Sequence, residues 1–182
     1  VSGGTQGFHY SKSMDMITIG IGYAHKGQTG NANGGTSGIG ANASGVSAYV
    51  QLAPVDGLSI GIGSGETGNA TTIGQTDDHS TAYVTYTYGP VTAGYQQSEV
   101  ETYGSTTADD ESTAYSILYA VNDEMSISYG SWENDDSTNA IDEEIEGWSA
   151  SYTMGSMSFT AHHNEGTNVT NANTSASEHT EI

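Results

Sequence analysis

Gly147-Trp-Ser-Ala-Ser-Tyr-Thr-Met-Gly-Ser-Met-Ser-Phe-Thr-Ala-His-His-Asn164 reads as two alternating strands joined by a very short turn. Trp148, Ala150, Tyr152 and Met154 fall on one face of the first strand, and Ser149, Ser151 and Thr153 on the other. This is the period-two signature of a sheet with one apolar side. Past Gly155 and Ser156 the alternation resumes, with Met157, Phe159 and Ala161 on one face and Ser158, Thr160 and His162 on the other. One such pair suits a sheet packed on a core as well as a sheet with its apolar side in lipid. The choice rests on how the motif recurs and what separates its copies.

The motif runs through the whole chain. Residues 1–10 read as the end of a strand and 11–15 as a turn into 16–26, where Ile17, Ile19, Ile21 and Tyr23 oppose Thr18, Gly20, Gly22 and Ala24. Further pairs are 45–53 with 58–65, 80–88 with 91–98, and 112–121 with 125–132. Their connections, Pro54-Val55-Asp56-Gly57, Gly89-Pro90 and Asn122-Asp123-Glu124, carry tight-turn residues. Long polar loops are expected over 27–44, 66–78, 99–111, 133–146 and 165–178, and 178–182 begins another extended segment. Short turns thus gather at one end and long loops at the other, for which a meander is the economical topology. Register places Ile17, Ile19, Ile21, Val46, Val50, Ile60, Val84, Ile117, Ile127 and Phe159 on one side. The opposite side carries Ser47, Tyr49, Gln51, Ser59, Tyr83, Thr85, Thr87, Thr92, Gln96, Ser116, Ser126, Ser128, Ser149, Ser151, Thr160 and His162, a wettable set expected to line a lumen.

Composition favours the hollow reading. Only 34% of the 182 residues are hydrophobic, little material for a solid core. The 22 acidic residues face only Lys12 and Lys26, for a formal charge of −20. Nucleic acid is thereby excluded as a partner, and cations are favoured. Without cysteine there are no disulfides and no thiolate chemistry. No apolar run reaches about 18 residues, so a membrane passage has to be made by strands. Of the acidic residues, Asp15, Asp56, Asp123 and Glu124 lie at the short-turn end. The others gather at the long-loop end as an acidic rim that includes Asp77, Asp78, Asp109, Asp110, Glu111, Asp135, Asp136, Asp142, Glu143, Glu144 and Glu146. This end-to-end asymmetry is that of an outer-membrane barrel. The fold class expected is all-β, an antiparallel up-and-down transmembrane β-barrel occupying residues 1–182 as one domain.

Three stretches carry a family resemblance: Tyr119-Ala-Val-Asn-Asp-Glu-Met-Ser-Ile-Ser-Tyr-Gly130, Gly147-Trp-Ser-Ala-Ser-Tyr-Thr-Met-Gly-Ser-Met157 and the final Glu178-His-Thr-Glu-Ile182. They resemble the C-terminal half of the trimeric general porins of Gram-negative bacteria, particularly those of alphaproteobacteria. The resemblance implies a barrel of about sixteen strands, of which some ten or eleven are present here. It further implies a homotrimer in the bacterial outer membrane, in contact with lipid and lipopolysaccharide, and passive diffusion of small hydrophilic solutes. The chain departs from the family in lacking arginine and in ending at Ile182 instead of an aromatic residue. Further sequence, most of it before Val1, is the corresponding expectation.

Enzymatic chemistry finds no support. No nucleophile elbow, zinc-protease helix or phosphate loop occurs, and neighbouring His162 and His163 point to opposite faces of a strand. Asp135, Ser137, Asn139 and Glu146 fall at calcium-loop offsets, which makes Asp135, Asn139 and Glu146 candidate ligands, but Ala140 stands where the sharp turn demands glycine. No other cofactor is expected. The rival reading is a secreted or surface-layer acidic β-protein, such as an adhesin with calcium-binding loops, whose sheets would pack face to face.

Overall fold

The structure, a computed structural model, describes residues 6–26, 44–68, 75–104, 109–136, 142–169 and 176–181. The strands are β1 (Gln6–Met14), β2 (Ile17–Lys26), β3 (Gly45–Leu52), β4 (Leu58–Gly68), β5 (Thr76–Tyr88), β6 (Val91–Glu101), β7 (Asp110–Ala120), β8 (Met125–Asp136), β9 (Glu143–Met154), β10 (Met157–Thr167) and β11 (Ala176–Glu181). They form one antiparallel sheet in chain order. Among the described residues each strand touches only its neighbours in sequence. No second sheet covers either face among the described residues, so they do not form the face-to-face sandwich of the rival reading. The short turns close on left-handed residues, with Asp15 at φ 52° and Gly57 at φ 79°. At Gly57 a side chain is doubly excluded, because its Cβ would lie 2.2 Å from the Thr87 carbonyl oxygen.

The strands reach further toward the long-loop end than expected. β5 begins at Thr76, β6 ends at Glu101, β7 begins at Asp110, β8 ends at Asp136 and β9 begins at Glu143. Much of the expected loop sequence is therefore strand. The apolar alternation stops where one face leaves its apolar surroundings, while the backbone ladder continues with polar residues on both faces. Likewise Ser11, Lys12 and Ser13, expected in a turn, belong to β1, with Lys12 opposite Ile19 and Ser13 opposite Thr18. The expected loop at 27–44 lies outside the described residues except for Ser44.

Exposure alternates in the opposite sense to a water-soluble sheet. Along β5, Val84 and Tyr86 are exposed while Thr81, Tyr83 and Thr85 are half-buried. In the apolar set Ile62 is 61% and Phe159 56% exposed, whereas Val100 is the only buried hydrophobic residue described. Side chains crowd together on the concave side of a curved sheet, so the polar face is the concave one. It is knitted by side-chain hydrogen bonds between facing residues: Ser126 with Ser151 and Ser128 with Ser149, both at 2.8 Å, Thr81 with Ser98 at 2.9 Å and Thr87 with Thr92 at 2.9 Å.

The register fixes the tilt of the strands. A line of directly paired residues leaves the turn end at Ile17 and passes through Leu52, Ile60, Val84, Tyr95, Tyr115, Ser131 and Glu146 to Glu165. Glu165 stands eight residues above Met157, the turn end of β10, and the line has crossed eight strand-to-strand steps. One residue of about 3.4 Å per step of about 4.8 Å is a tilt of roughly 35°, the value for a barrel wall. A lysine in the middle of the apolar face should therefore be far costlier than one beside it on the other face. Ile117→Lys is expected to lower folding stability in lipid vesicles by about 2–4 kcal/mol, and Ser116→Lys by much less. Equal losses in equilibrium denaturant titrations would mean that the faces are wrongly assigned.

Candidate functional site

The candidate functional surface is the concave face of the sheet. Directly paired residues of an antiparallel sheet share a face, so the register can be followed residue by residue. Ser47 pairs with Gly65, Tyr49 with Gly63 and Gln51 with Gly61. Ser59 pairs with Thr85, Tyr83 with Gln96 and Thr87 with Thr92. Ser116 stands opposite Gly94 and Gly130, Ser126 opposite Ser151, Ser128 opposite Ser149, Thr160 opposite Ser151 and His162 opposite Ser149. Every polar residue singled out from the sequence thus lies on the concave face. The apolar set, from Ile17 to Phe159, lies on the convex one. His162 and His163 point to opposite sides, as expected. On the convex side His163 packs near Trp148, with ring centroids 6.2 Å apart, and bonds to Thr180 at 2.7 Å and Glu165 at 3.0 Å.

The acidic rim is where the structure adds most to the sequence. Asp77, Asp78, Asp110, Glu111, Asp135, Asp136, Glu143, Glu144 and Glu146 are on strands, while Asp109 and Asp142 flank strands. Their faces alternate. Asp77, Asp110 and Glu143 share the concave face with Thr67, Val100 and Asn134, their partners in register, and Asp136 stands opposite Asp110. Asp78, Glu111, Asp135, Glu144 and Glu146 share the convex face with the apolar belt. Glu66, Glu99, Glu101, Glu133 and Glu165 join them. Sequence reasoning treated all these carboxylates as one loop cluster; counting the period of two past the last apolar residue would have separated them.

On the convex face the acids stand directly opposite one another: Glu66, Asp78 and Glu101 in one row, Glu99, Glu111 and Asp135 in a second, Glu133 and Glu144 in a third, Glu146 and Glu165 in a fourth. Like charges so placed repel and need counterions. Glu66 and Glu165 stand eight residues from the turn ends of β4 and β10, roughly 22 Å up a wall tilted by about 35°, near the top of an apolar band about 25 Å tall. Convex-face partners include Tyr129, whose hydroxyl donates to Glu146, and Gln97, whose amide donates to Glu111. Two rim acids hold the backbone between β6 and β7: Asp109 accepts from Thr102 N at 3.2 Å and Asp77 from Tyr103 N at 3.0 Å.

Of the calcium candidates, Asp135 and Glu146 lie on β8 and β9, opposite Glu111 and Ser131 in register. Asn139 lies outside the described residues. Among the described residues no three histidines or carboxylates are grouped to hold a metal ion. Large residues absent from the expected wall also lie on the concave face: Leu118 opposite Thr92 and Ser128, and Trp132 paired with Ile145 near the long-loop end, where the apolar alternation had already been lost.

The Gram-negative porin family model matches residues 2–173. Among solved structures the chain is similar to in-vitro folded OmpT, an outer membrane protein of Vibrio cholerae, with a TM-score of 0.61 and 17% identity over 88% of this chain and 53% of that one. It is also similar to an anion-selective porin from Comamonas acidovorans, with a TM-score of 0.62 and 15% identity over 87% of this chain and 47% of that one. The chain spans about half the length of these structures. No curated protein matches it significantly. A single up-and-down antiparallel sheet with a convex apolar face, together with a family match over nearly all of its length, shows that this chain belongs to the Gram-negative porins of the outer membrane.

Proposed function

We propose that the chain forms part of the wall of a water-filled channel for passive diffusion of ions and small hydrophilic solutes. The observation that carries this reading is the reversed exposure, with Ile, Val and aromatic side chains presented outward and Ser, Thr, Gln and Gly crowded on the concave side. Such a wall has a lipid face and a wettable lumen. Passage follows from pore geometry and field, so no residue is assigned a catalytic role. The similar solved barrels, of which the chain spans about half the length, support a longer barrel. The resemblance to general porins supports a homotrimer of such barrels.

Charge supports a preference for cations. Asp77, Asp110 and Glu143 lie on the concave face, and the whole chain has no arginine and two lysines. A narrow low-dielectric mouth focuses the field of such carboxylates. The anion selectivity of the Comamonas protein belongs to that protein, and the acidic balance here supports the opposite preference. The convex-face acids begin near the top of the apolar belt, where a diffuse cation atmosphere lessens their repulsion and their repulsion of lipopolysaccharide.

In planar bilayers under a salt gradient the intact protein should give a reversal potential of cation-preferring sign, weakening as salt rises past about 0.1 M, where the screening length is about 10 Å. Changing Asp77 and Asp110 to Asn and Glu143 to Gln keeps their acceptor oxygens. It should reduce the preference more than amides at Glu111, Glu144 and Glu146 on the convex face. Anion preference, or equal effects of the two triple substitutions, would overturn the charge assignment.

A further inference from the structure

One sector of the concave wall differs from the rest. At mid-height β6 to β10 present mainly small polar residues, with Leu118 and Trp132 among them, whereas β1 to β5 present rings laid on glycine. An added Cβ at Gly20 would meet Tyr49 Cε1 at 2.1 Å, and one at Gly61 would meet Tyr83 Cε1 at 2.2 Å. Each tyrosine therefore lies flat on a neighbouring strand where only glycine leaves room. His9 continues the surface, nearly parallel to Tyr49 at 10° with ring centroids 6.1 Å apart. Tyr49 pairs with Gly63 and Tyr83 with Gly61. The tyrosine backbones are thus two strands and two residues apart, about 12 Å.

Each half-buried tyrosine has one ring face on the sheet, which leaves the other toward the lumen. Neutral polar groups flank them: Gln51 Nε2 donates to Ser59 Oγ at 3.1 Å, and Gln96 Nε2 donates to Ser98 Oγ at 3.2 Å. The nearest acid on this face within β5 is Asp77, six residues from Tyr83, about 20 Å along the strand. A flat apolar face set among uncharged donors and acceptors suits a ring with an apolar C–H face and a rim of hydroxyls. Among the described residues a cation would find no carboxylate close by, and an anion no positive charge. We infer that Tyr49, Tyr83 and His9 form an aromatic platform on the pore wall that stacks the sugar rings of neutral oligosaccharides as they pass. The spacing of the two tyrosines is within the reach of a trisaccharide. This inference rests on the channel reading.

The test is interruption of ion current through the intact protein in planar bilayers by raffinose, with poly(ethylene glycol) of equal mass as a ringless control for excluded volume. Raffinose should block at lower concentration than the polymer. Tyr49→Leu with Tyr83→Leu, which keeps the glycine shelves covered but removes the rings, should raise the half-blocking concentration about tenfold. Tyr49→Phe with Tyr83→Phe should leave it within about twofold, and Tyr86→Leu on the convex face should not change it. Equal block by sugar and polymer, or block unaffected by the leucine pair, would overturn the platform while leaving the channel intact. Absence of any conductance would overturn the channel reading and the platform together.

Discussion

Everything in this wall depends on the pairing of backbone N–H and C=O groups between adjacent strands. A span through hydrocarbon has no water to satisfy them, so the ladder must be continuous from strand to strand. The register meets that demand across β2 to β10 without an extra residue on either side of a pair. An unbroken period of two lets a single alternation in the sequence sort every side chain to one of two surfaces. A slip of one residue in any strand would turn Ile117 and its neighbours toward the lumen and Ser116 toward lipid.

With the ladder supplying cohesion, the faces are released from the need to build a core. This accounts for a chain only 34% hydrophobic that folds without burying its large apolar side chains against one another. The convex face obtains its apolar contacts from lipid. The concave face is held by short hydroxyl pairs such as Ser126 with Ser151 and by Ser112, which donates to Asn134 Oδ1 at 2.7 Å. Glycine has two distinct uses, closing turns at Gly57 and giving Tyr49 and Tyr83 flat seats at Gly20 and Gly61.

The architecture was legible because strands within the apolar belt announce themselves twice, by their alternation and by turn residues between them. Residues such as Ile127 and Ser128 could be assigned to faces from spacing alone. Strand ends at the long-loop side were not legible, since there Asp77, Asp78, Asp135 and Asp136 read as loop although the ladder runs through them. Propensity counts against Asp in strands, and tertiary pairing overrides it. The same blind spot merged lumen-facing and outward-facing carboxylates into one rim. Spacing alone groups Tyr49 and Tyr83 with the residues whose face they share, but their flat seating depends on Gly20 and Gly61 on neighbouring strands, a relation between distant positions that no local pattern carries.

The central claim, one wet face and one lipid face alternating residue by residue, is open to a direct measurement, for which the absence of native cysteine is well suited. Single cysteines placed in turn at residues 125–132 of β8 in the intact protein, reconstituted in lipid, can be reacted with a small membrane-impermeant thiol reagent. Labelling is predicted at Ser126, Ser128 and Gly130 and its absence at Ile127 and Tyr129. Uniform labelling along the strand, or labelling of Ile127 and Tyr129 in preference to the serines, would contradict it.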